Sequence, residues 1–145
     1  MALNLKFQHL ISAEEMLAAL PLVHQLYPEI SAEEFPASLQ EMIDCNDYKM
    51  LAIYHDQKLV AISGYWILRM LYCGKYLQIS NLIVDKDYRN HGIGTAMLDY
   101  FEKYAKEQNC DKFVLDSNIA NKKSHELFER QGFYVRGLHF MKNMK

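Results

Sequence analysis

A chain of 145 residues, half of them hydrophobic and 23% charged, carries enough apolar material for one packed domain, read here as 1–145, and is too apolar for a disordered segment. A net charge of −2 without a basic stripe argues against nucleic-acid binding. Three widely spaced cysteines, Cys45, Cys73 and Cys110, read as reduced thiols of a cytoplasmic protein, and the first six residues lack the apolar run of a signal peptide.

Residues 3–9 alternate as a first strand. Ser12 followed by Glu15 is a capping box, and Leu17, Leu20 and Val23 continue a helical stripe that Pro21 must kink or restart. Ser31 and Glu34 repeat the box while Pro36 competes as a first-turn residue, so that boundary stays open; Phe35, Leu39, Met42 and Ile43 give the second helix one buried face. Residues 48–55, 59–71 and 76–84 read as three strands of an antiparallel meander, with turns at Asp56-Gln57 and Tyr72-Cys73-Gly74. The most apolar stretch, 65–73, contains Arg69 and is too short to span a bilayer. The period then changes: Ile93, Ala96, Met97, Tyr100, Phe101 and Tyr104 mark a long amphipathic helix ending near Asn109. Residues 112–117 form a short strand, 121–131 a helix with Gly132 as its C-terminal cap, and 133–142 a last strand. The order βααβββαβαβ makes a mixed α/β (α+β) domain, in which 76–117 is a β-α-β unit with parallel strands.

The loop 85–91 joins a strand to a helix that opens on Gly92 and Gly94. Glycine lets a backbone approach a ligand, and the first turn of a helix offers unpaired N–H groups and a partial positive charge worth roughly 0.3–2 kcal/mol to an anion. A pyrophosphate fits such a place, with Arg89 adding a charge-assisted contact; tight packing alone is the other use for the two glycines. No Gly-Lys-Ser/Thr follows, which excludes a nucleotide P-loop, and the dinucleotide pattern Gly-x-Gly-x-x-Gly fails at Met97.

Arg89-x-x-Gly92-x-Gly94-Thr95, preceded by Leu82-Ile83-Val84, resembles the pyrophosphate motif of the GNAT superfamily of N-acetyltransferases, and Asn121-x-x-Ser124-x-x-Leu127-Phe128 running to Gly132-Phe133 resembles its second motif. The resemblance covers nearly the whole chain. It implies a mainly antiparallel sheet flanked by helices, with a splayed central parallel pair made by the strands at 76–84 and 112–117. It also implies acetyl-CoA in that gap. The backbone of Leu82, Ile83 and Val84 would pair with the pantetheine arm, and the N–H groups of Asn90, His91, Gly92, Ile93, Gly94 and Thr95 would hold the pyrophosphate. Asn121, Ser124 and Phe128 share one helical face that would look into the cleft; plain helix packing also accounts for Ser124 and Phe128. The acceptor would be an amine of a small molecule or a protein, in a groove walled by 27–34, including Tyr27, by the strand bearing Asn81 and by the last strand. The family leaves a homodimer open.

An amine with a pKa of about 10.4 must lose a proton before it attacks, at a cost of about 4–5 kcal/mol at pH 7. The resemblance puts the oxyanion on a backbone N–H near Val84. It supplies no catalytic side chain, because Phe128 stands where many members carry a proton-donating tyrosine, and Asn81 where many carry an acid. Direct attack in a ternary complex, with Asn81 orienting a water, is the mechanism these residues allow. The six histidines show no paired spacing, so no metal site is expected; His125 and His139 are either relays or structural. Tyr65, Trp66, Tyr72 and Tyr76 are strand packing or a substrate cage. The alternative of another class is an acyl-CoA-binding sensor without catalysis, which the same two departures favour.

Overall fold

A computed structural model describes residues 3–145, so that Met1 and Ala2 of the N-terminal stretch lie outside the described residues. The chain divides into two compact units, Met1–Val114 and Leu115–Lys145.

The first unit opens with β1 (Leu5–Leu10), followed by α1 (Ala13–Met16), a 3-10 turn (Leu17–Ala19) and α2 (Leu20–Leu26). The capping box forms: Glu15 N–H donates to Ser12 Oγ, and Ser12 N–H to Glu15 Oε1, both at 3.1 Å. Pro21 restarts the helix, occupying the first turn of α2, where its missing N–H costs nothing. The open boundary is resolved by both signals acting. Ser31 and Glu34 bond reciprocally around a turn (2.9 and 3.1 Å), and α3 (Phe35–Asn46) then starts with Pro36 in its first turn.

β2 (Lys49–His55), β3 (Lys58–Met70) and β4 (Gly74–Val84) form the expected antiparallel meander, and β1 pairs antiparallel with β2. Asp56 and Gln57 both take positive φ (46° and 71°), as a two-residue hairpin turn requires. A 3-10 turn (Lys86–Tyr88) leads to α4 (Ile93–Glu107), after which β5 (Lys112–Leu115) joins the sheet beside β4, in the order β1-β2-β3-β4-β5. Asp111 N–H donates to the carbonyl of Lys75 at 2.6 Å, so the two strands start side by side and run parallel. The expected class, a mixed α/β fold with a mostly antiparallel sheet flanked by helices, holds.

Strand residues alternate between the two faces. Met50, Ala52 and Ile62 pack with Met16, Leu22, Phe35 and Leu39 of the first helices, while Tyr65 meets Phe101 of α4 at 5.3 Å between ring centres. Trp66, next to Tyr65, packs on the opposite cluster. Tyr65, Trp66 and Tyr76 are therefore packing residues, and Tyr72 is exposed.

His9, near the end of β1, turns its ring towards β3 and α4. Its Nδ1 lies 2.6 Å from Tyr65 Oη and its Nε2 2.7 Å from Tyr100 Oη, with the Tyr104 ring 4.9 Å away. Burial first, then the nearby Lys49 charge, lowers its pKa below the ordinary 6.5. The unfolded chain therefore binds the proton more tightly. The stability this contributes is complete above pH 6.5 and is lost as pH falls through the folded value. Urea midpoints at pH 7.5 and pH 5 should show a larger acid loss for the wild type than for His9→Gln; equal losses would remove His9 from the acid limb.

In the second unit, α5 (Lys122–Arg130) is capped by Asn121, whose Oδ1 accepts from Ser124 N–H at 3.2 Å. Gly132 takes φ 92° and closes the helix, with Phe133 N–H donating to Phe128 C=O and Gly132 N–H to Glu129 C=O, both at 3.0 Å. The expected last strand, 133–142, is a correction: no strand forms there among the described residues, since alternation sets which face a residue takes and does not by itself supply a hydrogen-bonded ladder.

Candidate functional site

The site residues of the first unit lie along the end of β4 and the start of α4. Ile62 pairs with Ile83 and Gly64 with Ser80, so the single residue Ser63 on β3 faces two residues, Asn81 and Leu82, on β4. That is a β-bulge, and it leaves one residue of β4 outside the ladder. Asn81 takes φ 60° there, a left-handed conformation that asparagine tolerates better than most side chains. Ser63, fully buried, shares its hydroxyl between the carbonyls of Gly64 and Ser80 at 3.1 and 3.4 Å, stitching the bulge to β3. Beyond the bulge, Ile83 is buried in the helix-side core while Leu82 and Val84 are half-buried.

The loop after β4 is anchored by Asp85, which is 7% exposed. Its N–H donates to Val60 C=O at 2.8 Å, its carboxylate accepts from Asp87 N–H at 2.9 Å, and Lys86 N–H donates to Gln25 Oε1 at 3.0 Å, tying the loop to α2. Arg89 Nε donates to the carbonyl of Val84 at 3.2 Å, which folds the exposed guanidinium back over the strand end. This engages a carbonyl expected to be available to a pantetheine arm.

Asn90 and Gly92 both take positive φ (65° and 78°), and Ile93, 1% exposed, pins the helix start into the core. Gly92 caps α4 with no side chain, and the helix has no side-chain cap bond. The unpaired N–H groups of the first turn thus face outward from a fixed position. A Cβ built on Gly92 would meet nothing within 4 Å, so open space lies over this backbone. Positive helix end, free donors, open space and the Arg89 guanidinium at the strand end form a donor set that fits a diphosphate.

Asn81 also reaches across to α2. Its Nδ2 donates to Tyr27 Oη at 3.0 Å, while its Oδ1 accepts from Ser80 Oγ at 3.1 Å. The structure thus brings Tyr27 and Asn81 together. Behind them Tyr48 is buried, its ring 6.4 Å from Trp66, and burial followed by the neighbouring Tyr27 pushes its ionisation up.

Asn121, Ser124 and Phe128 belong to the second unit. Asn121 caps α5, Ser124 is its capping partner, and the Phe128 ring sits 6.0 Å from Phe133 across the helix end. All three therefore have local structural work. His125 Nε2 lies 3.0 Å from Asn118 C=O, and His139 Nδ1 3.6 Å from the Asp116 carboxylate. Sequence reasoning missed Asp85 and Ser63. The Asp85-x-Asp87 spacing signals a turn cap, but nothing in the sequence marks Ser63.

The family model described as "Acetyltransferase (GNAT) family" matches residues 18–133. The chain is 24% identical over 136 residues to the uncharacterized N-acetyltransferase YhdJ of Bacillus subtilis (strain 168), covering 93% of this chain and 96% of the relative. Its fold matches a ribosomal-protein-alanine N-acetyltransferase from Brucella melitensis biovar Abortus 2308 (TM-score 0.81, 16% identity, 98% of this chain and 100% of that one). It also matches the aminoglycoside N-acetyltransferase AAC(6')-Iy in complex with CoA (TM-score 0.81, 13% identity, 100% and 98%).

Proposed function

We infer the chemistry of this chain from one premise: it belongs to the acetyltransferase (GNAT) family. It is an N-acetyltransferase, an acyltransferase that takes its acetyl group from acetyl-CoA. The family match runs across both units, which supports reading residues 1–145 as one acetyltransferase domain.

The uncapped start of α4 carries the proposed cofactor site. The N–H groups of residues 90–95 hold the diphosphate, Arg89 screens its charge, and the arm runs back along Val84, Ile83 and Leu82 towards the bulge. Asn121, Ser124 and Phe128 stay in the proposed cofactor set on the resemblance of their sequence to the family's second motif. Acetyl-CoA supplies an activated thioester, and the chain supplies placement. Tyr27 and Asn81 bind the acceptor, whose amine attacks directly in a ternary complex, with a backbone N–H near Val84 for the oxyanion.

Related proteins act on an aminoglycoside and on a ribosomal-protein alanine, so small-molecule and protein amines are both in range. The charge around Tyr27 favours a cationic amine. Apart from histidines, every charged side chain between Lys6 and Lys49 is a carboxylate, and Glu29, Glu33 and Glu34 are exposed just after Tyr27. Carboxylates gathered on the acceptor side attract a cationic amine and oppose a phosphorylated acceptor. All three cysteines are free, which supports a reducing, cytoplasmic setting. Among the described residues no helix is long and apolar enough to cross a membrane. We assign no nucleic-acid partner, and a homodimer is compatible with this reading.

CoA at 100 times its Kd should stabilise the chain by about 2.7 kcal/mol, seen as a higher melting temperature. A diamine should be acetylated faster than an amino-sugar phosphate. No thermal shift would sink the cofactor site, and a preference for the phosphate would sink the charge argument. A thermal shift with no acceptor-dependent turnover would favour the sensor, which the Phe128 and Asn81 departures keep as the second reading.

A further inference from the structure

Acetyl transfer leaves a thiolate that must take up a proton, and Phe128 has none to give. We propose that the Tyr27 hydroxyl protonates the departing sulfur, working from the α2 side of β4; this rests on the acetyl-transfer reading above.

Tyr27 ends α2 and is held there by its own N–H, which donates to Val23 C=O at 2.7 Å, and its ring packs on the helix-side core. Hydrogen bonds reach its oxygen in one direction. Ser80 Oγ donates to Asn81 Oδ1 at 3.1 Å, and Asn81 Nδ2 donates to Tyr27 Oη at 3.0 Å. The phenolic oxygen is thus an acceptor in this chain, and its own hydrogen points elsewhere. Among the described residues nothing accepts that hydrogen. The left-handed backbone of Asn81 at the bulge aims the amide across to α2.

The placement follows from the proposed cofactor path. With the diphosphate on α4 and the arm running back along Val84, Ile83 and Leu82, the acyl end arrives at Asn81, beside Tyr27. A phenol (pKa about 10) is a weaker acid than a thiol (about 8.5), so it needs support for the charge it gains. Asn81 N–H donates to the oxygen on which that charge develops. The step balances. The amine nitrogen forms the new N–C bond, the C–S bond breaks with its electron pair on sulfur, and sulfur takes the Tyr27 hydrogen. The surplus proton on nitrogen returns to the phenolate through water. Thioester and amine become amide and thiol, and Tyr27 is restored. Asn81 is a positioning residue here and not the water-orienting relay expected from the sequence.

Tyr27→Phe keeps the ring and removes the proton. We expect its kcat to fall about 100-fold. The CoA-induced rise in melting temperature should be unchanged, and the acceptor KM, which Tyr27 also influences by lining the groove, should change much less than kcat. The fall of kcat at high pH should disappear. Asn81→Gly suits the left-handed backbone and removes only the amide, so it should move that high-pH limb upward; it also carries the test if Tyr27→Phe fails to fold. Wild-type kcat and pH profile in Tyr27→Phe, with the CoA shift intact, would overturn the role of Tyr27 and leave the acetyl-transfer reading standing. Loss of the CoA shift in Tyr27→Phe would overturn it in favour of a binding role. Absence of the shift in the wild type would overturn both.

Discussion

Gly92→Glu is expected to weaken CoA binding at least 100-fold, about 3 kcal/mol, measured by isothermal titration. Gly92 stands at φ 78° as the cap of α4, and the helix start offers its N–H groups with no side chain in the way. A glutamate there places a tethered carboxylate beside the donors that the diphosphate needs, and it repels the same charge. The variant also pays for a left-handed non-glycine residue, about 1–2 kcal/mol, partly offset by an acid at a helix N-terminus. Gly92→Ala separates the two effects. It should lose a similar amount of stability and much less affinity, since a Cβ alone meets nothing within 4 Å. Equal affinity in wild type and Gly92→Glu would move the diphosphate away from α4.

Gly64→Ala should destabilise the fold by about 3 kcal/mol, near the upper end for overpacking a core. A Cβ on Gly64 would strike the hydroxyl and ring of Tyr48, and Tyr48 is 2% exposed, so the ring has nowhere to go. Gly64 also pairs with Ser80 at the edge of the bulge, which makes the damage local to the proposed acyl end. Shortening the obstacle should release the strain: Gly64→Ala with Tyr48→Leu should lose less than the sum of the single changes. Additive losses in urea denaturation would show that Tyr48 yields without cost.

The elements with a strong period were legible in the sequence. The stripe from Ile93 to Tyr104 predicted α4, and the three strands of the meander lie within two residues of their expected bounds. Capping chemistry was equally readable, since Ser12 with Glu15 and Gly132 make the bonds their types and spacing imply. Periodicity reports which face a residue takes, not which strand it will find. The alternation after Phe133 therefore suggested a strand where none forms among the described residues. The β4 bulge was hidden for the same reason: an extra residue leaves the local alternation plausible, and only the register against Ser63 reveals it. Of the candidate site, the anion-binding helix start could be read from Gly92 and Gly94. The Tyr27–Asn81 bond, between residues 54 positions apart, could not be read from spacing.

Departure of Phe128 and Asn81 from the family's usual side chains makes catalysis the point to test. Incubation of the purified chain with acetyl-CoA and a panel of amines, followed by free thiol, measures it directly. Thiol should appear only when acetyl-CoA and an amine are both present, in step with acetylated amine. CoA binding without thiol release for any amine in the panel would contradict transfer and leave an acyl-CoA sensor.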